Sequence, residues 1–313
     1  MDVSTTLTTY TRQIPIRILK GDSYLYAQSY FEAGDYGLMA IDPTTLNILD
    51  TYSMRSGRIS DFHVYSDSRI VVRSTNKLVV LSFDGSSFTE VCSKTVASTI
   101  NVGVTCNNNF AFISCGSKII SVDISANKIA QERNVPNSFY VRDISCTDNY
   151  LFARKTNINF TAYKLTAYEI NNDYITNPHK NIYLLDEIES VGFDMDLGRL
   201  TVDSSLNIIE TGLETNRLVT FSGSTFTLVG ELTPFYPALE FIKHGSYYFI
   251  SPGNYLIIFT LSGLTLSEEY NSSILTRRPS YVSPGFSTYE FFSSRDVLGD
   301  GTGRNISKRL ITP

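Results

Sequence analysis

Tryptophan is absent from the 313 residues, and cysteine and histidine are scarce, with four and three copies. Without an indole, no repeat built around tryptophan is open to this chain. The cysteines, Cys92, Cys106, Cys115 and Cys146, are too few and too scattered for a disulfide scaffold, and none forms a Cys-x-x-Cys pair for zinc or redox chemistry. Cys106 and Cys146 occupy one repeat position about forty residues apart, which predicts core packing. His63, His179 and His244 fall in three separate stretches, whereas metal ligation uses short spacings or one shared rim. No metal site and no cofactor are expected.

Charge is also sparse, at 18% of residues with a net of −5, and no Lys/Arg-rich run exists. The pairs Arg277-Arg278 and Lys308-Arg309 are isolated, so the clustered basic face of an electrostatic nucleic-acid binder is missing. No stretch approaches the roughly 18 apolar residues of a membrane span, and the first residues lack the basic start and apolar run of an export signal. A cytoplasmic or virion-associated location is expected. Apolar residues still make up 42% of the chain, enough for a large core, since chains near this length bury about 75% of their unfolded surface.

What the chain has is a repeat. Asp148-Asn149-Tyr150-Leu151-Phe152-Ala153 reads as a turn followed by a strand, and versions of it recur as Asp22-Ser23-Tyr24-Leu25, Asp67-Ser68-Arg69-Ile70, Asn108-Asn109-Phe110-Ala111, Leu197-Gly198-Arg199-Leu200, Gly245-Ser246-Tyr247-Tyr248 and, weakly, Ser287-Thr288-Tyr289-Glu290. Turn-forming Asp, Asn, Gly and Ser precede aromatic and β-branched residues each time. Read outward, each unit gives four short strands, a to d. The fourth unit overruns its period through the polar segment 171–181, and the fifth is read with an insert at 205–216. The seventh is one strand short at the C-terminal end, while Asp2-Val3-Ser4-Thr5-Thr6-Leu7 supplies an orphan d strand at the other.

The expected architecture is an all-β, seven-bladed propeller of four-stranded antiparallel blades, its ring closed by the N-terminal strand joining the C-terminal blade. Approximate blades are 13–56, 57–98, 99–136, 137–186, 187–233, 234–278, and 279–313 with 1–12. The weak seventh signature leaves six and eight blades open alongside seven.

At Leu38-Met39-Ala40-Ile41-Asp42-Pro43-Thr44-Thr45-Leu46, and again at Ile120-Ser121-Val122-Asp123-Ile124, the chain resembles the YVTN and quinoprotein-like class of WD40-like propeller repeats, in which a strand ends in Ile-Asp before a turn. The resemblance implies architecture over nearly the whole chain and no activity. The Gly-His and Trp-Asp pairs of ordinary WD40 repeats, the Trp-docking repeat of pyrroloquinoline quinone enzymes, sialidase Asp boxes and paired kelch glycines are all missing. The nearest approach to an Asp box is Ser82-Phe83-Asp84-Gly85-Ser86.

No catalytic residue can be assigned. Asp194-Met195-Asp196 lacks the further ligands of a calcium loop, and Gly299-Asp300-Gly301-Thr302-Gly303-Arg304 lacks the ending of a phosphate loop. Aligning the a strands on the signature puts Arg17, Phe62, Gly103, Asp143, Gly192 and Glu240 at one level of a central channel, with Arg17, Asp143 and Glu240 as candidate ligand-binding residues. Phe235 and Tyr236, in the rigid Thr233-Pro234-Phe235-Tyr236-Pro237 connector, and Asp300 and Arg304 are candidate interaction-loop residues. The leading reading is a non-enzymatic interaction scaffold with a protein partner or self-assembly, as a subunit of a larger virion or surface assembly. The alternative is a small-ligand or carbohydrate binder, or an enzyme, using the channel mouth.

Overall fold

A computed structural model describes residues 2–11, 14–30, 36–54, 59–74, 76–96, 103–136, 139–171, 181–192, 200–212, 214–233, 235, 241–250, 255–273, 282–285, 287, 290–296 and 304–312. In chain order β1 is Asp2–Thr11, and the strands β2 (Ile14–Lys20), β3 (Leu25–Tyr30), β4 (Tyr36–Ile41) and β5 (Ile48–Ser53) follow. Next come β6 (Ile59–Ser66), β7 (Arg69–Ser74), β8 (Lys77–Phe83) and β9 (Phe88–Thr95), then β10 (Val104–Cys106), β11 (Phe110–Cys115), β12 (Lys118–Asp123) and β13 (Lys128–Asn134). The next groups are β14 (Phe139–Cys146), β15 (Tyr150–Asn157), β16 (Tyr163–Ile170), β17 (Ile182–Glu189), and β18 (Leu200–Val202), β19 (Asn207–Glu210), β20 (Asn216–Phe221), β21 (Phe226–Leu232). Last are β22 (Ile242–His244), β23 (Tyr247–Ile250), β24 (Tyr255–Ser262), β25 (Thr265–Ser273), β26 (Val282–Pro284), β27 (Glu290–Asp296) and β28 (Arg304–Thr312).

Among the described residues these strands form seven four-stranded sheets. Six run in sequence order, and the seventh is ordered β1-β28-β27-β26. The N-terminal strand therefore completes the C-terminal sheet, with Asp2 opposite Thr312 and Thr11 opposite Arg304.

Burial explains why the four strands of a sheet differ in sequence. The second and third strands are buried along their length, as in Phe110–Cys115 and Lys118–Asp123, and read as continuous apolar runs. The fourth strands, such as Lys128–Asn134 and Phe226–Leu232, keep one face in water and alternate. A bulge recurs where third meets fourth strand: the register slips between Ala40 and Ile41, Ser121 and Val122, Ala167 and Tyr168, Leu218 and Val219, and Ile258 and Phe259. Such an extra residue bends a strand and increases its twist.

The chain divides into two compact units, Met1–Ile59 with Phe83–Phe88 and Ala238–Pro313, and Ser60–Ser82 with Thr89–Pro237. In the first, β2 and β22 each lie beside β26; in the second, β10 lies beside β14, and β14 beside β18. Initial strands of different sheets are thus neighbours within each unit.

The two units use one aromatic arrangement twice. In the first, Tyr24 meets Phe83 edge-on with ring centroids 5.0 Å apart, and Phe88 packs on Phe83 at 5.1 Å and on Tyr26 at 6.1 Å. In the second, Tyr150 meets Phe221 edge-on at 5.3 Å, and Phe226 packs on Phe221 at 5.0 Å and on Phe152 at 6.2 Å. Each aromatic pair is worth about 0.5–1.5 kcal/mol beyond its buried area. The same backbone tie accompanies each cluster: Phe88 N–H donates to Asp50 Oδ2 at 2.8 Å, and Phe226 N–H donates to Asp186 Oδ2 at 2.7 Å. Gln131 Oε1 does this work for Ile182 N–H at 2.8 Å.

Asp42 and Asp123, which suggested the repeat class, are turn caps, and so is Asp84. Asp42 Oδ1 accepts from Thr44 N–H at 2.7 Å, Asp84 Oδ1 from Ser86 and Ser87 N–H at 2.8 and 2.9 Å, and Asp123 Oδ1 from Ala126 N–H at 2.8 Å. These donors hold the Asp84 carboxyl at about 2, well below its ordinary value.

The fifth repeat needs a correction. Its first strand is Leu200–Val202, and its turn is 203–206, where Asp203 Oδ1 accepts from Ser205 and Asn207 N–H. The residues read as an insert, 205–216, therefore hold the end of that turn and all of β19. Gly192 lies outside the first strand, so its alignment with Arg17 and Asp143 fails. Of the polar excursion 171–181, residues 172–180 lie outside the described residues. Its two ends are clamped: Asn171 N–H donates to Asn181 O at 2.7 Å and Asn181 Nδ2 to Asn171 O at 3.0 Å.

Candidate functional site

Arg17 is buried on β2 in the first unit, opposite Gln28, and Asp143 is buried on β14 in the second, opposite Arg154. Asp143 Oδ2 accepts from Leu200 N–H at 2.6 Å, so this carboxylate ties β14 to the first strand of the next sheet. Asp61 Oδ2 makes the equivalent tie to Val104 N–H at 3.1 Å. Glu240, Tyr236 and Asp300 lie outside the described residues, as do Asp194, Asp196 and His179. Phe235 is exposed, and Arg304 opens β28.

Sequence reasoning missed the charged residues buried beside Asp143. Arg73 and Arg154 hold matching places on β7 and β15 and are fully buried. Each sends a guanidinium to a backbone carbonyl of the following sheet, Arg73 to Ser114 O at 3.3 Å and Arg154 to Thr211 O at 2.8 Å. Arg154 Nε also lies 3.9 Å from Glu210 Oε1. Glu210, fully buried on β19, accepts from Ser190 Oγ and from Nε of its cross-strand partner Arg217. Burial pulls the Arg154 guanidinium below its ordinary value, while Glu210 and Asp143 oppose the shift. This network joins two sheets.

The cysteines are free thiols. Burial raises Cys106 well above the ordinary range and Cys146 to about 12, which makes both poor nucleophiles. Among the described residues no group of three His, Cys, Asp or Glu side chains is placed to hold a metal ion, and no helix is long and apolar enough to cross a membrane.

A different surface stands out where β15 turns into β16. Asn157 organises the turn, with Oδ1 accepting from Thr161 N–H at 2.8 Å and Ala162 N–H at 3.2 Å, and Nδ2 donating to Thr161 Oγ1 at 2.8 Å. Phe160 sits at φ 55°, a left-handed conformation that costs a non-glycine residue about 1–2 kcal/mol. Tyr163 Oη donates to Phe160 O at 2.9 Å and fixes the turn from its other side. The turn carries two exposed apolar side chains, Ile158 at 62% and Phe160 at 39% exposure. Beside them is Arg142, the extra residue of a bulge in which the register slips between Val141 and Asp143. Its guanidinium carbon lies 5.6 Å from the Tyr140 ring centroid and 5.4 Å from that of Phe160. Nε of Arg142 is buried without a hydrogen-bond acceptor, and partial burial lowers the group's pKa.

No protein-family model matches the chain, and no curated protein matches it. Solved structures do. The WD40 domain of Pan2 from Neurospora crassa superposes with a TM-score of 0.69 at 9% identity, covering 99% of this chain and 96% of that one. A chain of the mitotic checkpoint complex gives 0.67 at 10% identity, covering 97% and 94%. At such identities the likeness shows the fold alone: a WD40-like β-propeller of four-stranded antiparallel blades.

Proposed function

We propose that this chain is a non-enzymatic β-propeller that presents loop surfaces to a protein partner, as a subunit of a larger assembly. The observation that carries the reading is the β15–β16 turn, where a strained, hydrogen-bonded backbone holds Ile158 and Phe160 out of the core. Backbone strain of this kind clusters at binding and active sites. The superposition on a chain from a multiprotein complex fits this use.

Size-exclusion chromatography with light scattering, followed by cross-linked capture from the native source, tests the function. A specific stoichiometric protein complex is expected. A strict monomer that captures nothing would overturn it. The ligand-binding alternative at Arg17, Asp143 and Glu240 requires the Asp143 carboxylate to serve a ligand while already bound to Leu200 N–H. A thermal-shift screen against sugars, nucleotides and divalent ions decides between the two.

A further inference from the structure

Among the described residues Arg142 faces aromatic rings and no carboxylate is paired with it. Its neighbours are the Tyr140 and Phe160 rings, and Nε has no acceptor. The adjacent carboxylate of Asp143 is committed to Leu200 N–H at 2.6 Å. A guanidinium stacked on aromatic rings is pre-oriented, so little rotamer freedom is lost when it binds a carboxylate. Ile158 and Phe160 add apolar area in the same turn. Arginine and aromatic side chains around one partly desolvated point match the composition of interface hot spots.

We infer that this surface docks an extended acidic peptide segment of a partner protein, with one Asp or Glu carboxylate on Arg142 and an adjacent apolar side chain against Ile158 and Phe160. The inference rests on the scaffold reading above. A single guanidinium on a chain of net charge −5 favours one carboxylate over a polyanion, because nucleic acid is held by several phosphate contacts at once.

The test is fluorescence anisotropy on the full chain with a labelled Ser-Leu-Glu-Phe-Ser peptide and its Gln-for-Glu counterpart. The acidic peptide should bind, and the Gln peptide should bind about tenfold more weakly, equivalent to about 1.4 kcal/mol. Arg142→Gln should lose a similar factor. Ile158→Asp should weaken binding by charge repulsion with an unchanged melting temperature, since that side chain is largely exposed, which guards against a folding artefact in the first variant. Equal binding of the two peptides, unaltered binding by either variant, no binding of the acidic peptide, or its displacement by a short polyuridine RNA would each overturn the proposal. Cross-linked capture separates the two levels. If wild type and Arg142→Gln capture the same partner equally, this surface is wrong while the scaffold function stands; if wild type captures none, the scaffold function falls with it.

Discussion

Tyr150 lies over Gly223 so closely that a Cβ added to the glycine would stand 2.9 Å from the phenol oxygen. Tyr24 covers Gly85 in the same way, at 2.6 Å. Both glycines have positive φ, 93° and 97°. The turn joining third and fourth strands is thereby shaped to receive the aromatic that opens the second strand of another sheet.

Gly223→Ala and Gly85→Ala should each destabilise the protein, through clash and left-handed strain together, by about 1–3 kcal/mol in urea unfolding. A loss at one glycine without the other would show that the two clusters are not equivalent.

Removing the carboxylate at Glu210 leaves the buried guanidinium groups of Arg154 and Arg217 without their shared anion. Glu210→Ala should cost about 3–5 kcal/mol, measurable as a fall in the denaturation midpoint. A small effect would mean that Thr211 O and Glu189 O already satisfy the two arginines.

Asp84 is an exposed turn cap whose folded pKa, about 2, lies below its ordinary 3.8. A depressed carboxylate pKa contributes stability above the unfolded value, and that contribution is lost as pH falls through the folded one. Asp84→Asn should therefore flatten the acid limb of the stability profile between about pH 4 and about pH 2 and leave the slope above it unchanged.

Asparagine adopts left-handed backbone more readily than phenylalanine. Phe160→Asn should relieve the turn and keep the melting temperature within a few degrees, yet weaken partner binding because the ring beside Arg142 is gone. A melting temperature that collapses would instead give Phe160 a structural role.

The fold was legible wherever one residue type recurs for one physical reason. Tyr24 and Tyr150 open second strands, and Asp42, Asp84 and Asp123 cap turns, so the periodic signal survives without sequence identity between repeats. It failed at the fifth repeat, where Leu200-Thr201-Val202 imitates a second strand and Leu206, at φ 60°, occupies a turn position that leucine seldom takes. The buried charges were invisible for another reason. Arg154 and Glu210 come from different sheets, and a strand pattern gives no hint that an arginine points into the core. Arg142 reads as an ordinary alternating polar residue until the bulge and the two rings beside it are seen.

The pairing of β1 with β28 also sets a schedule. Residues 2–11 leave the ribosome about 290 residues ahead of their hydrogen-bonding partner, residues 304–312. At roughly 5–20 residues per second the nascent chain carries an unsatisfied strand for about 15–60 s. Through that interval the threonine-rich sequence Asp2–Thr11 has to stay unpaired in a crowded cell, and its low hydrophobicity suits a segment that must wait.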